Sequence, residues 1–332
     1  MRVKHTITFE QAAERMLADM EAKKKVKAAT LRATRSRLNA INEVLGSVRL
    51  EKISGADVRA YIEARLAAGK SGGTVRWEYQ AIRAVIKSIV DKNLNCVYPI
   101  QWETKKLELP STEPADDRTK ETPQSVIETA VAAQIDPYSQ LIAFLAFTGC
   151  RLGEAVACRI ETANPDVTHW DVDMSLVRVR TAIDVGAEHA AKTKKSAKRI
   201  VDLCAEANDY LKAYVGARRD GFLFSVDGQP LERNRLYRAA AKLCGPYHGL
   251  RRARITNLYS RMETPAEEQI IKFWVGHESH ESTQTERYSK LWQDAAWRRE
   301  FAERAGIGFS LASPTVAEPA ISEQQEAVAV SA

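Results

Sequence analysis

The sequence predicts a mainly α-helical protein with a small β-sheet, divided into two domains. Three observations carry this. Apolar residues recur at helical spacing through residues 1–100, a charged, proline-bearing stretch without any period follows, and beyond it helices enclose one block of strand-like alternation. A length of 332 residues suffices for two domains of ordinary size, and 45% hydrophobic with 28% charged residues is a globular composition.

Taken in order, Thr8 is a candidate N-cap, with Gln11 completing a capping box. Thr30 is expected to cap the next helix, whose Leu31, Leu38, Ile41 and Leu45 recur before Gly46. SGADVRAYIEARLAAG predicts a helix capped by Ser54 with Asp57, buried through Val58, Tyr61, Ile62 and Leu66, and closed by Gly69. Thr74 is expected to open a fourth, with Tyr79, Ile82, Val85, Ile86 and Ile89 inward. Residues 1–102 therefore form a helical domain, 103–121 a linker, 122–310 a second domain, and 311–332 an unpatterned tail expected to be disordered.

In the second domain, SVIETAVAAQIDPYSQLIAFLAFTGCRLGEAVACRI reads as apolar helix interrupted at Asp136-Pro137 and at Gly149. HWDVDMSLVRVRTAIDVG alternates like a strand pair and KRIVDL is a further short strand, with the basic turn KTKKSAK before it. Helices resume and run through Arg304.

Residues 1–100 hold 19 Lys+Arg against 10 Asp+Glu, a net +9, whereas the remainder carries −3. Such a basic third suits a polyanion, most simply nucleic acid, although a solvated basic face has the same composition. Five scattered cysteines without CxxC spacing fit a reducing compartment and give no disulfide framework or zinc site. No secretory h-region and no membrane-length apolar run is visible, so a cytoplasmic location is expected.

Three short motifs hold the candidate chemistry. TGCRLGE sets Arg151 and Glu154 three apart, HGLRR does the same for His248 and Arg251, and GHESHESTQTERY places Tyr288 in a polar stretch with no apolar period. Singly, the first pair reads as a surface salt bridge and His248 as an ordinary helix histidine. His277 and His280 lie three apart, not the four of a HExxH zinc helix, and no third ligand accompanies them, so no metal is expected. No GxxxxGK[ST] loop or acidic cluster is present.

The ordered set TGxRxGE, a lysine in a basic turn, HxLR, GH and a tyrosine resembles the tyrosine recombinase (phage integrase) family over about residues 120–305. The resemblance implies a helical core-binding domain followed by an α+β catalytic domain. It implies that Arg151 and Arg251 hold the scissile phosphate, with His248 and His277 as the histidines of the HxLR and GH boxes. Glu154 matches the acidic position after the first arginine. Lys192 best matches the catalytic lysine, with Lys194 and Lys195 as rivals, and Tyr288 is the nucleophile. One departure stands out: the family places its tyrosine nine residues after the GH histidine, and here the interval is eleven, which leaves His280 as a rival histidine.

These residue types suit metal-free phosphoryl transfer. Two permanently charged forks can meet the charge that develops on the non-bridging oxygens, and a lysine can protonate the departing 5′ oxygen. A 3′-phosphotyrosine linkage would conserve the bond energy, so neither cofactor nor ATP is called for. The implied partner is double-stranded DNA, with Lys23, Lys24, Lys25, Lys27, Arg32, Arg35 and Arg37 as phosphate-contact candidates. A homotetramer on two synapsed sites and accessory DNA-bending or directionality proteins are also implied. In the family a terminal helix docks onto a neighbouring subunit; here Leu291, Trp292, Ala295, Ala296 and Phe301 could supply that face or an internal one. Tyr259 reads as a packing residue. A catalytically silent DNA-binding protein of the same fold and a type IB topoisomerase-like relaxing enzyme are the alternatives.

Overall fold

The computed structural model describes residues 7–22, 26, 28–100, 102–111, 120–160, 164–183, 190–192, 198–276 and 291–312. The chain divides into two compact units, Met1–Thr119 and Lys120–Ala332.

The first unit holds four helices, α1 (Phe9–Ala22), α2 (Ala28–Leu45), α3 (Gly55–Ala67) and α4 (Gly72–Ser88). The expected Thr8 box is present: Gln11 N–H donates to Thr8 Oγ1 at 3.3 Å and Thr8 N–H to Gln11 Oε1 at 3.2 Å. So is the Ser54–Asp57 box ahead of α3. Two caps differ from expectation. Thr30 lies inside α2, because Ala28 and Ala29, both strong helix formers, extend the helix past it. The cap of α4 is Ser71, whose Oγ accepts the Thr74 N–H at 3.3 Å, so Thr74 sits in the first turn.

Helix α1 packs on α2 and α4, and α4 also meets α2 and α3. Phe9, Leu38, Ile41, Tyr61, Tyr79 and Ile82 are the large buried side chains at the centre. Burying each contributes about 1.5–3 kcal/mol. Glu78 is buried on α4, where it accepts from Tyr61 Oη at 3.0 Å and from the Arg65 fork at 2.9 and 2.7 Å. Part of the expected linker belongs to this unit. Thr104–Leu107 forms a short 3₁₀ turn, Leu107 is buried in the helical core, and the carbonyls of Lys106 and Pro110 accept from Arg59 and Arg76. Polar composition concealed this, because the docking uses main-chain carbonyls and one leucine.

The second unit is built around α6 (Tyr138–Thr148), every side chain of which is buried from Ser139 onward. Helices α5 (Gln124–Ala132), α7 (Leu152–Val156), α8 (Ala205–Val215), α9 (Arg233–Leu243) and α10 (Tyr247–Ser260) pack against it. A four-stranded sheet has the order β1 (Arg159–Ile160), β2 (His169–Asp171), β3 (Leu176–Val179), β6 (Arg199–Asp202). Its first pair is parallel and the others antiparallel, with Val177 opposite Val201 and Val179 opposite Arg199. Strands β4 (Thr181–Ile183) and β5 (Ala190–Lys192) form a separate ribbon, and β7 (Ser225–Val226) and β8 (Gln229–Pro230) a third.

Two more helices, α11 (Glu267–Val275) and α12 (Ala295–Ala305), pack against β6. Helix α12 docks within its own unit through Arg298, Phe301, Ala302 and Ala305. Phe301 and Trp292, whose ring lies 4.8 Å from that of Phe273, fall inward as expected for an internal face, whereas Ala295 and Ala296 are exposed. The stripe is rotated because Arg298 is drawn inward by Asp202, at 2.7 Å.

Candidate active site

Helix α6 ends where Gly149 takes a left-handed φ of 65°, and there the chain turns so that Arg151 becomes the N-cap of α7. Arg151 and Glu154 therefore do not continue one helix from α6, as the spacing alone allowed. The Arg151 N–H donates to Glu154 Oε2 at 2.8 Å, and its Nη1 meets Glu154 Oε1 at 3.2 Å. Gly153 lies against β4, and a Cβ there would stand 2.5 Å from the Ile183 carbonyl oxygen. Both glycines of the TGCRLGE stretch thus have a steric reason.

Helix α10 delivers Arg251 from 102 positions along the chain, its buried Nη1 donating to Gly149 O at 2.6 Å and its Nη2 to Val275 O. Arg151 Nη2 donates to the next carbonyl, Gly276 O, at 3.3 Å. Two guanidinium groups from separate motifs therefore meet adjacent carbonyls at the C-terminal end of α11, where the helix presents its partial negative charge. Gly276, at φ 64°, makes the turn immediately before His277.

Glu154 is buried, although the sequence left it as a surface partner. Its second guanidinium is Arg199, which donates Nη1 to Oε1 at 2.9 Å and Nη2 to Oε2 at 2.7 Å. Arg199 also donates Nε to the Trp274 carbonyl. It was not among the sequence candidates. Strand alternation did put it on the same face as buried Val201, but a buried arginine is admissible only with a partner, and that partner lies 45 positions away.

Two guanidinium groups, Arg151 and Arg199, thus flank the Glu154 carboxylate, and with Arg251 close by the cluster carries a net positive charge. Burial would push the Glu154 carboxyl up, but the Arg199 fork, the Arg199 charge and the Arg151 N–H hold it below its ordinary value. Burial, then the charges of Arg151 and Arg199, bring the Arg251 guanidinium down to about 10. A cation so destabilised is suited to receive an anion.

No protein-family model matches this sequence, and no curated protein matches it by sequence. Solved structures do match. The Tn1549 transposon integrase in complex with transposon right end DNA aligns with a TM-score of 0.60 at 17% identity, over 89% of this chain and 94% of that one. A lambda integrase dimer bound to a COC′ core site aligns at 0.55 and 15% identity, over 88% and 78%. A lambda integrase tetramer bound to a Holliday junction gives 0.53 and 16%, over 85% and 81%. The chain has the tyrosine recombinase fold.

On this recombinase fold the remaining candidates fall as follows. His248 is exposed in the first turn of α10, one turn before Arg251. Partial burial, then Arg252, Arg251 and Arg151, lower its imidazole from the ordinary 6.5. Lys192 ends β5, its backbone paired with Thr181. His277, His280, Tyr288, Lys194 and Lys195 lie outside the described residues, as do Lys23, Lys24, Lys25 and Lys27. Arg32 is exposed on α2, Arg35 pairs with Glu21 at 2.5 Å, and Arg37 lies over the exposed Trp77 ring at 5.2 Å. Tyr259 is not a packing residue: it is 43% exposed and its Oη donates to Glu268 at 3.1 Å, because it falls on the outer face of α10. Among the described residues no helix is long and apolar enough to cross a membrane.

Proposed function

We propose that this protein is a site-specific DNA recombinase that cuts and rejoins duplex DNA through a 3′-phosphotyrosine at Tyr288. The observation that carries the reading is the meeting of Arg151 and Arg251 at the consecutive carbonyls Gly276 and Val275, directly before the GH histidine. A site with surplus positive charge, supplied by planar forks, suits a phosphodiester.

In the proposed reaction the phosphate lies across Arg151 and Arg251, with His277 adding a hydrogen bond. Tyr288 Oη attacks phosphorus and passes its proton to neutral His248 or to solvent. The P–O5′ bond breaks, and Lys192, or one of Lys194 and Lys195, protonates the departing oxygen. Reversal by a different 5′ hydroxyl rejoins the strand without external energy. The basic helical unit would contribute phosphate contacts from Lys23, Lys24, Lys25, Lys27, Arg32 and Arg37, with Arg35 available on release from Glu21. Assembly as a homotetramer on two synapsed sites, location with the nucleoid and help from DNA-bending or directionality proteins complete the reading. The lambda integrase tetramer on a Holliday junction supports the tetramer.

Covalent capture tests it. Purified protein is mixed with nicked duplex fragments from the source genome, without metal or ATP, and denaturing gels are probed for adducts. Adducts formed by wild type and lost in Tyr288→Phe, with binding retained, are expected. Salt-sensitive binding with no adduct from any fragment would instead favour the catalytically silent reading, towards which the eleven-residue interval points.

A further inference from the structure

Behind the outward-facing arginine stands a second one whose two Nη groups are both held by Glu154. The Arg151 side chain is 47% exposed, whereas that of Arg199 is 1% exposed, and both share the carboxylate of Glu154. Arg199 is sealed in by Gly276, whose α-carbon passes so close that a Cβ would stand 3.2 Å from its Cδ and 3.3–3.4 Å from its guanidinium. Its place in the unit is therefore structural in position and electrostatic in effect.

We propose that Arg199 is a positioning residue of the oxyanion site, cancelling the charge of Glu154 so that this carboxylate orients Arg151 without neutralising it. The inference rests on reading the Arg151–Arg251 pair as a phosphate site. Glu154 is needed where it is, because it accepts the N–H of Arg151 and one of its side-chain donors, at 2.8 and 3.2 Å. Left alone, it would take up the charge of Arg151 and repel an incoming phosphate. The Arg199 fork occupies both oxygens, at 2.7 and 2.9 Å, and leaves Arg151 only the longer contact. Three arginines against one glutamate give the site +2, and without Arg199 it would be +1. The Arg199 fork grips both oxygens while its Nε also donates to the Trp274 carbonyl. Arg199 thereby links the TGCRLGE turn, strand β6 and the end of α11 through one side chain.

The test is a charge cycle read by titration of inorganic phosphate at low ionic strength, using full-length wild type, Arg199→Met, Glu154→Gln, the double variant and Arg199→Lys. Phosphate affinity should fall on the order of tenfold in Arg199→Met, return to within about threefold of wild type in the double variant, and stay near wild type in Arg199→Lys. Thermal melting identifies a single variant that has not folded; the double variant and Arg199→Lys then decide the matter between them. Equal affinities across all five proteins, or a loss in Arg199→Met that Glu154→Gln does not restore, would overturn the proposal. Adduct formation by wild type is scored separately. Adducts with a flat phosphate cycle remove the role of Arg199 alone, and an intact cycle without adducts removes the recombinase reading alone.

Discussion

Trp274 donates its indole N–H to Asp202 Oδ2 at 2.9 Å, and the same oxygen receives Arg298 Nε at 2.7 Å. One buried carboxylate at the end of β6 thus holds both α11, which ends at the candidate site, and α12. The Trp274 ring also stacks on Phe301 of α12, centroids 5.5 Å apart. Asp202→Ala would leave Arg298 buried without its counter-charge. A loss of about 3–5 kcal/mol is expected, measured by urea denaturation, with faster proteolysis near residues 291–305. An unchanged midpoint would show that α12 is held by Phe301, Ala302 and Ala305 alone.

Two glycines of the motifs should differ in how they fail. At Gly153, alanine would gain about 1 kcal/mol of helix propensity, yet its Cβ would meet the Ile183 carbonyl at 2.5 Å, an overpacking clash of about 1–3 kcal/mol. The expected result is net destabilisation, and net stabilisation would mean that β4 yields easily. At Gly276, alanine must adopt φ 64° at a cost of about 1–2 kcal/mol and crowd Arg199. Its effect should appear in phosphate affinity as well as in melting temperature.

His248 predicts a pH dependence of stability. Its imidazole titrates below 6.5 in the folded chain, because it is partly shielded from water and then because of three neighbouring arginines. Between that lowered value and 6.5 the unfolded chain binds the extra proton, so this contribution is complete above 6.5 and is lost as pH falls through the window. Glu154 acts in a different range: its lowered carboxyl contributes stability above the ordinary carboxylate value, lost only in stronger acid. His248→Gln should therefore flatten the urea midpoint from about pH 7 to about pH 5 and leave the acid limb intact. An unaltered profile would remove His248 from the account.

Arg251→Lys keeps one positive charge and loses the geometry that bridges Gly149 O and Val275 O. A lysine ammonium cannot span both carbonyls and still present a fork to phosphate. Adduct formation should drop about 10²–10³-fold, equivalent to about 2.7–4 kcal/mol of transition-state stabilisation, with circular dichroism unchanged. Retained cleavage would mean that Arg251 serves packing rather than the phosphate.

Local chemistry was enough to place the helices of the first unit, the breaks at Asp136-Pro137 and Gly149, and strand β6. Capping boxes, apolar periods and glycine stops act within a few residues, so Thr8–Gln11 and Ser54–Asp57 could be read directly. Motif order was equally legible and led to the fold that the solved integrases share. What the sequence could not supply depends on partners far along the chain. Arg199 is admissible inside only because Glu154 waits 45 positions away, and Arg298 faces inward only because Asp202 does, 96 positions away. Burial of charge is decided pairwise by tertiary structure, since an unpaired ion would be expelled to water. For the same reason the sequence presented Arg151 and Arg251 as separate motifs, and packing around α6 and α11 made them one site.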